Sequence, residues 1–315
     1  MKKIIEVKNL TKNYGNLAAV NNVCFEVQKG EVFGLLGENG AGKTTTLEII
    51  EGLRQATSGK VKILGLDFRK NQAKIKQKIG VQLQSSAYYN FLKLKEILDL
   101  FASFYDKKIE TDKLFEIVGL KSKANQYVSA LSGGQKQRFS IIASLINDPE
   151  IVFLDEPTTG LDPVARRNTW EIISKIKEQG KTIVLTTHYL EEAEFLCDRV
   201  AIMEKGKIIA MDKPHKLIEK TKNPFRITFI LAKDDPEFID KLRKTCELAD
   251  CDIKKLPGKT GHYEIHLKSQ AALNQALMMV ETKKPESLKV GQATLEDLFI
   301  ELTGKTITNE EQVNV

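Results

Sequence analysis

Aromatic residues are scarce in this 315-residue chain, at 7% with a single tryptophan. Its four cysteines, Cys24, Cys197, Cys246 and Cys251, include no CxxC pair and no ligand-like grouping with histidine. They read as reduced thiols, which excludes a disulfide framework and a zinc ribbon. No apolar run approaches the ~18 residues that a membrane-spanning helix needs. Glu6 and Lys8 interrupt the only leader-like opening, Met1 to Ile5. If the protein moves anything across a membrane, another chain supplies the path. Charge of one sign is also in short supply. Lys+Arg 48 against Asp+Glu 42 leaves +6, spread along the chain. That excess is too diffuse for a nucleic-acid footprint and supports at most a mild preference for an anionic membrane surface. No internal repeat, low-complexity tract or heptad run is present.

What remains is an ordinary globular composition, 42% hydrophobic and 29% charged, with material for one large domain and a small one. Residues 1–221 alternate strand-like and helix-like segments and predict an α/β domain. Glu31–Leu36, Glu150–Leu154 and Thr182–Thr186 read as buried strands, and Lys43–Leu53 as a helix. The amphipathic spacing of Leu92, Ile97, Leu98, Phe101 and Phe104 marks a helical insertion over about residues 85–147. Asn223-Pro224 opens a small α+β domain, residues 222–304. Its expected strands are Phe225–Leu231 and His262–Leu267, and its expected helices are Pro236–Leu248, Gln270–Glu281 and Thr294–Leu302. Thr294 is the expected N-cap of the last, with Asp297 at N3. Residues 305–315 form a polar tail. His262, Glu264 and His266 alternate on one strand face; with no further ligand nearby they read as solvent-facing rather than metal-binding.

The strongest local signal is Gly37-Glu38-Asn39-Gly40-Ala41-Gly42-Lys43-Thr44, a full G-x-x-x-x-G-K-[ST] loop between strand and helix. Its glycines let backbone N–H groups turn inward as an anion nest, which the helix N-terminus reinforces. Lys43 is expected on the β- and γ-phosphates, and the Thr44 hydroxyl on Mg²⁺, with Thr45 beside it. A second signal is the apolar run Ile151–Leu154 ending in Asp155-Glu156, acids at the end of a sheet strand where such sheets bind ligands. Asp155 suits the metal shell. Glu156 points elsewhere and suits the polarising of a water for in-line attack on the γ-phosphate, the alternative being a cap on the next turn before Pro157. A third is Leu131-Ser132-Gly133-Gly134-Gln135 at a helix start, which reads either as an N-cap with a flexible entry or, in chemical terms, as a second anion site.

Together these segments resemble the ABC ATPases. Leu131 to Gln135 matches the signature motif of that family, in order between the phosphate loop and the Asp155-Glu156 pair. Tyr14-Gly15 looks like the aromatic loop that stacks on adenine. Gln84 looks like the Q-loop glutamine that senses Mg²⁺ and faces the membrane subunit; Gln82, on the same strand face, competes for that role. Gly160-Leu161-Asp162 resembles the D-loop, and His188 the switch histidine that contacts the γ-phosphate. The resemblance covers about residues 3–220. Thr187–Glu194 and Ala293–Phe299 further resemble the ATPase subunits of ABC-2-type exporters, whose permease is a separate polypeptide. Met211-Asp212 departs from that branch, where many relatives have a glycine.

The resemblance implies a P-loop NTPase fold with a helical subdomain, ATP and Mg²⁺ as cofactors, and ATP hydrolysis. It implies two copies closed head to tail, each nucleotide held between one chain's Lys43 loop and the other's Ser132–Gln135 loop. It also implies a membrane permease partner and a place on the inner face of the cell membrane. A soluble ABC protein acting on a non-transport partner is the alternative; tandem domains or a coiled-coil insertion would mark one in translation or repair, and neither is present. The absence of an Asn-Lys-x-Asp motif disfavours a GTPase. The transported substrate is not written in this chain.

Overall fold

The computed structural model describes residues 2–83, 88–247, 251–256 and 260–305. Gln84 lies outside the described residues, as do the side chains of Cys246 and Cys251 and the tail beyond Lys305. The chain divides into two compact units, Met1–Pro214 and His215–Val315.

The first unit opens with the long antiparallel hairpin β1 (Lys3–Tyr14) and β2 (Leu17–Gln28), followed by β3 (Val32–Leu36) and α1 (Lys43–Glu51). β4 (Ser58–Ile63) and β5 (Leu66–Asp67) return to the hairpin and complete a four-stranded sheet in the order β2-β1-β4-β5. After α2 (Gln72–Lys76) and β6 (Ile79–Gln82) comes the helical segment: α3 (Leu94–Ala102), α4 (Thr111–Ile117) and α5 (Gly133–Ala143). The chain re-enters the sheet at β7 (Ile151–Asp155), then runs through α6 (Pro163–Glu178), β8 (Thr182–Thr187), α7 (Leu190–Leu196), β9 (Arg199–Glu204) and β10 (Lys207–Asp212). The second sheet has the order β10-β9-β3-β8-β7-β6, parallel except at the β9–β10 edge.

Every residue of β3, β7 and β8 is buried, as expected of strands covered on both faces, where period-two alternation gives way to continuous apolar sequence. The two sheets share a core in which Phe25 of β2 stacks on Phe33 of β3 with ring centres 5.1 Å apart, and α1 contributes Leu47, Ile49 and Ile50. This packing pins both ends of the loop between β3 and α1. α1 stops at Glu51 rather than Leu53 because Gly52 takes the left-handed conformation, φ 78°, and its N–H closes back on Glu48 and Ile49. α5 stops at Ala143 rather than Ile146. There Ser144 Oγ donates to Ile141 O at 2.6 Å, and the Asn147 amide is drawn to the carbonyls of Gln77 and Ile79.

In the second unit α8 (Pro214–Ile218) leads to β11 (Phe225–Ile230), α9 (Pro236–Glu247), β12 (Cys251–Lys255), β13 (His262–Leu267), α10 (Gln270–Thr282), β14 (Ser287–Gln292) and α11 (Leu295–Thr303). The sheet order β12-β13-β11-β14, all antiparallel, is the split β-α-β arrangement of ferredoxin-like domains. α9 and α10 bury Phe238, Leu242, Leu273 and Val280 against Ile227, Phe229 and Ile265. On the other face the histidine strand is not simply solvent-facing. Glu264 and His266, 18% and 14% exposed, contact each other at 2.6 Å, and Arg226 reaches both Glu264 and Asp297. Thr294 and Asp297 form the expected capping box of α11, so Asp297 serves the helix and Arg226 at once.

Candidate active site

Between β3 and α1 the backbone turns through conformations that only glycine adopts freely. Gly37 has φ 153° and Gly42 φ 101°; a Cβ would stand 2.4 Å from Met203 O at the first and 2.4 Å from Ala19 O at the second. Ala41 is buried, Asn39 and Gly40 are exposed at the crest, and Thr45 is half-buried. Lys43 folds back under this loop. Its Nζ donates to Gly37 O at 2.8 Å and Glu38 O at 3.1 Å, and the residue is 4% exposed. Burial pulls the Lys43 pKa down, against the opposing pull of Glu156 and Asp155.

The two acids at the end of β7 diverge. Asp155 Oδ1 accepts the Thr44 hydroxyl at 3.3 Å and also the hydroxyl of Thr186 on the adjacent strand. Burial raises the Asp155 pKa, with the Thr186 hydroxyl opposing and the Glu156 charge adding. Hard oxygens on Thr44 and Asp155, at the floor of an anion nest, fit Mg²⁺, which binds one or two protein oxygens and fills its octahedron with phosphate and water. The chain leaves the strand at Glu156 in the left-handed region, φ 46°. That conformation is held by the Glu156 N–H, which donates to Thr186 Oγ1 at 2.9 Å. The turn brings Glu156 Oε1 to 3.6 Å from Lys43 Nζ and Oε2 to 3.4 Å from His188 Nδ1. The carboxyl is held down at about 2. The His188 ring is the largest influence, burial opposes it, and Lys43 and the Thr159 hydroxyl add to it.

Lys43, Thr44, Asp155, Glu156 and His188 thus converge on one point. The other expected residues stand apart from this contact set. Tyr14, 41% exposed at the end of β1, has Lys12 Nζ at 5.0 Å and Arg54 at 5.5 Å from its ring centre. Ser132 caps α5, with its hydroxyl and the Gln135 side chain exchanging bonds with each other's backbone N–H. Gly133 has open space where a Cβ would lie, while Gly134 lies against Ala165. Asp162 caps α6, accepting from Val164 N and Ala165 N at 2.9 Å each. Gln82 is 1% exposed and donates to Leu83 O at 2.6 Å.

Sequence reading alone passed over Thr186 and Thr159. Thr159 Oγ1 donates to Glu156 Oε2 at 2.9 Å. The available signal was a polar Thr186-Thr187 pair closing an otherwise apolar strand. It also passed over Glu51, 2% exposed, whose Oε1 has no hydrogen-bond partner. Burial first, then Asp155 and Glu48, push the Glu51 carboxyl up to about 8. An acid whose folded pKa is raised stabilises below its unfolded pKa, and the fold weakens as pH rises from about 4.5 to about 8. Glu51→Gln is therefore expected to flatten that decline. Its urea midpoint should exceed the parent's at pH 9, by a stability on the order of a few kcal/mol, and match it near pH 4. Equal midpoints at pH 9 would contradict the burial argument.

The profile described as ABC transporter matches residues 20–159. The linearmycin resistance ATP-binding protein LnrL of Bacillus subtilis (strain 168) is 34% identical over 309 residues, 96% of this chain and 99% of that protein. The Nod factor export ATP-binding protein I of Burkholderia orbicola (strain AU 1054) is 40% identical over 220 residues, 68% of this chain and 72% of the other. Among solved structures, the dimeric post-hydrolysis state of the ATP-binding cassette MJ0796 bound to ADP and Pi is 29% identical, with a TM-score of 0.61. It covers 67% of this chain and 98% of that one. With 34% identity to LnrL over nearly the whole of both chains, and with Lys43, Asp155, Glu156 and His188 brought together as described, this chain belongs to the ABC transporter ATP-binding protein family.

Proposed function

We propose that this ABC ATPase powers an exporter of the ABC-2 type, bound to the inner face of the membrane through a separate permease. The observation that carries the reading is the convergence of Lys43, Thr44, Asp155, Glu156 and His188 in one largely buried cluster. The names of the relatives, one for linearmycin resistance and one for Nod factor export, support the direction of transport. No helix among the described residues is long and apolar enough to cross a membrane, and the translocation path is assigned to the permease. Gln84 and the residues after it are assigned to the docking of that partner.

In the proposed cycle the backbone N–H groups from Gly37 to Thr45 and the Lys43 ammonium take the β- and γ-phosphates, while Tyr14 takes the adenine. Thr44, Asp155 and Gln84 would hold Mg²⁺, which supplies charge neutralisation for the phosphate oxygens. Ser132, Gly133, Gly134 and Gln135 of a second copy close on the γ-phosphate from its far side, with Asp162 at the crossing. Phosphate draws Lys43 and His188 away from Glu156. Two of the groups that keep its carboxylate weakly basic are then withdrawn, and its basicity rises as it meets the attacking water.

The sandwich is tested by light scattering of the parent chain in saturating Mg-ATP with turnover arrested by orthovanadate. The expected mass is that of two copies. A strict monomer under those conditions overturns the head-to-tail arrangement.

A further inference from the structure

We propose that Glu192 is a positioning residue that sets the Glu156 turn against His188. The inference rests on the ATPase reading above and extends it to a side chain that touches neither nucleotide nor water. Glu192 is fully buried, 0% exposed, in α7, the helix that follows His188. Its Oε1 accepts two hydrogen bonds from two other segments. One comes from Thr158 Oγ1 at 2.8 Å and the other from Trp170 Nε1 at 3.0 Å.

Each of those donors belongs to a piece of the site. Thr158 sits in the turn that begins at Glu156, beside the Thr159 whose hydroxyl holds Glu156 Oε2. Trp170 lies in α6, the helix that Asp162 caps, and its ring stacks on Phe195 of α7 with centres 5.1 Å apart. Arg166, from the same helix, lies 4.2 Å from the Tyr189 ring centre, and that ring lies 4.2 Å from the ring of His188. One carboxylate oxygen therefore ties together the Glu156 turn, the Asp162 helix and the His188 helix.

Stability is a poor explanation for such a residue. Burying a carboxylate costs more than its hydrogen bonds return unless every lone pair is used, and apolar packing is usually cheaper. Here Oε2 makes no hydrogen bond. Burial is the largest influence on the Glu192 pKa and raises it. What the acid does supply is registry: a fixed length from Thr158 to Trp170 that no apolar side chain can impose.

Three variants separate positioning from bulk stability. Glu192→Ala removes both bonds, Thr158→Val removes only the link to the Glu156 turn at nearly unchanged volume, and Glu192→Gln keeps an acceptor oxygen in the place of Oε1. The measurements are kcat per nucleotide-binding site, titrated with trinitrophenyl-ATP, and the dissociation constant of that probe. Misplacing a water-activating group by about 1 Å costs on the order of 10²-fold in rate. The expected result is a loss of that order in kcat for Glu192→Ala and a smaller one for Thr158→Val. Probe affinity should be unchanged in both, and Glu192→Gln should return to within a few-fold of the parent. A structural role alone would lower the number of binding-competent sites and leave kcat per site at the parent value. That outcome, or a Glu192→Gln as slow as Glu192→Ala, overturns the proposal. Should Glu192→Ala not fold, the kcat per site of Thr158→Val decides between the two roles in the same way. A parent chain without ATPase activity would bring down the function and this inference together.

Discussion

Glu156→Gln is expected to bind ATP with the parent's affinity and to lose about 10²–10⁴-fold in turnover, the usual contribution of a positioned general base. The amide has the volume and hydrogen-bonding reach of the carboxylate, so the left-handed turn at Glu156 and the Thr159 contact can persist. What disappears is the negative charge that, in the proposed cycle, holds a water for attack and accepts its proton. Because Lys43 and His188 both contact this carboxylate, removing its charge also frees them for phosphate. The variant should accordingly accumulate as an ATP-bound dimer on size exclusion. Phosphate release at the parent rate would show that another group takes the proton.

Lys43→Ala carries the largest expected effect on binding. The ammonium is almost fully buried and donates to the carbonyls of Gly37 and Glu38, so it both charges the loop and holds its curvature. Removing it deletes charge-assisted bonds to phosphate worth about 1.5–3 kcal/mol each. It also leaves Glu156 facing the incoming phosphates without its nearest cation. Affinity for Mg-ATP is expected to fall by at least about 10²-fold, beyond the range of ordinary titration calorimetry. Undiminished affinity would remove the loop from the site. Lys43→Met, which keeps most of the stem's volume, distinguishes the loss of charge from the collapse of the loop.

The grouping of residues at the site was legible where it is local. Gly37 to Thr44 is contiguous, and a buried strand that ends in Asp155-Glu156 advertises its acids because nothing in a parallel sheet requires them. The direction each acid takes was only half legible. Adjacent residues must diverge, but the left-handed conformation of Glu156 depends on the Thr186 hydroxyl, which comes from another strand. Glu192 was unreadable for the same reason, since its partners Thr158 and Trp170 are brought to it by the packing of α6 and α7. In the fold, the α/β class followed from apolar runs and helical periodicity, and α11 followed from its capping box. Strands β12 and β14 escaped notice because they are the two edges of their sheet. With sequences as polar as Lys254-Lys255 and Lys289, they carry little alternation to detect. Helix ends shifted where a glycine conformation or a serine back-bond closed the helix early, as at Gly52 and Ser144.

Thr186 gives its one hydroxyl proton to Asp155 and receives the backbone N–H of Glu156 on the same oxygen. The placing of the two adjacent acids is therefore steadied from a neighbouring strand by one residue, whose carbonyl also receives the Glu156 N–H at 3.2 Å. A change at Thr186 should consequently be felt by both acids at once.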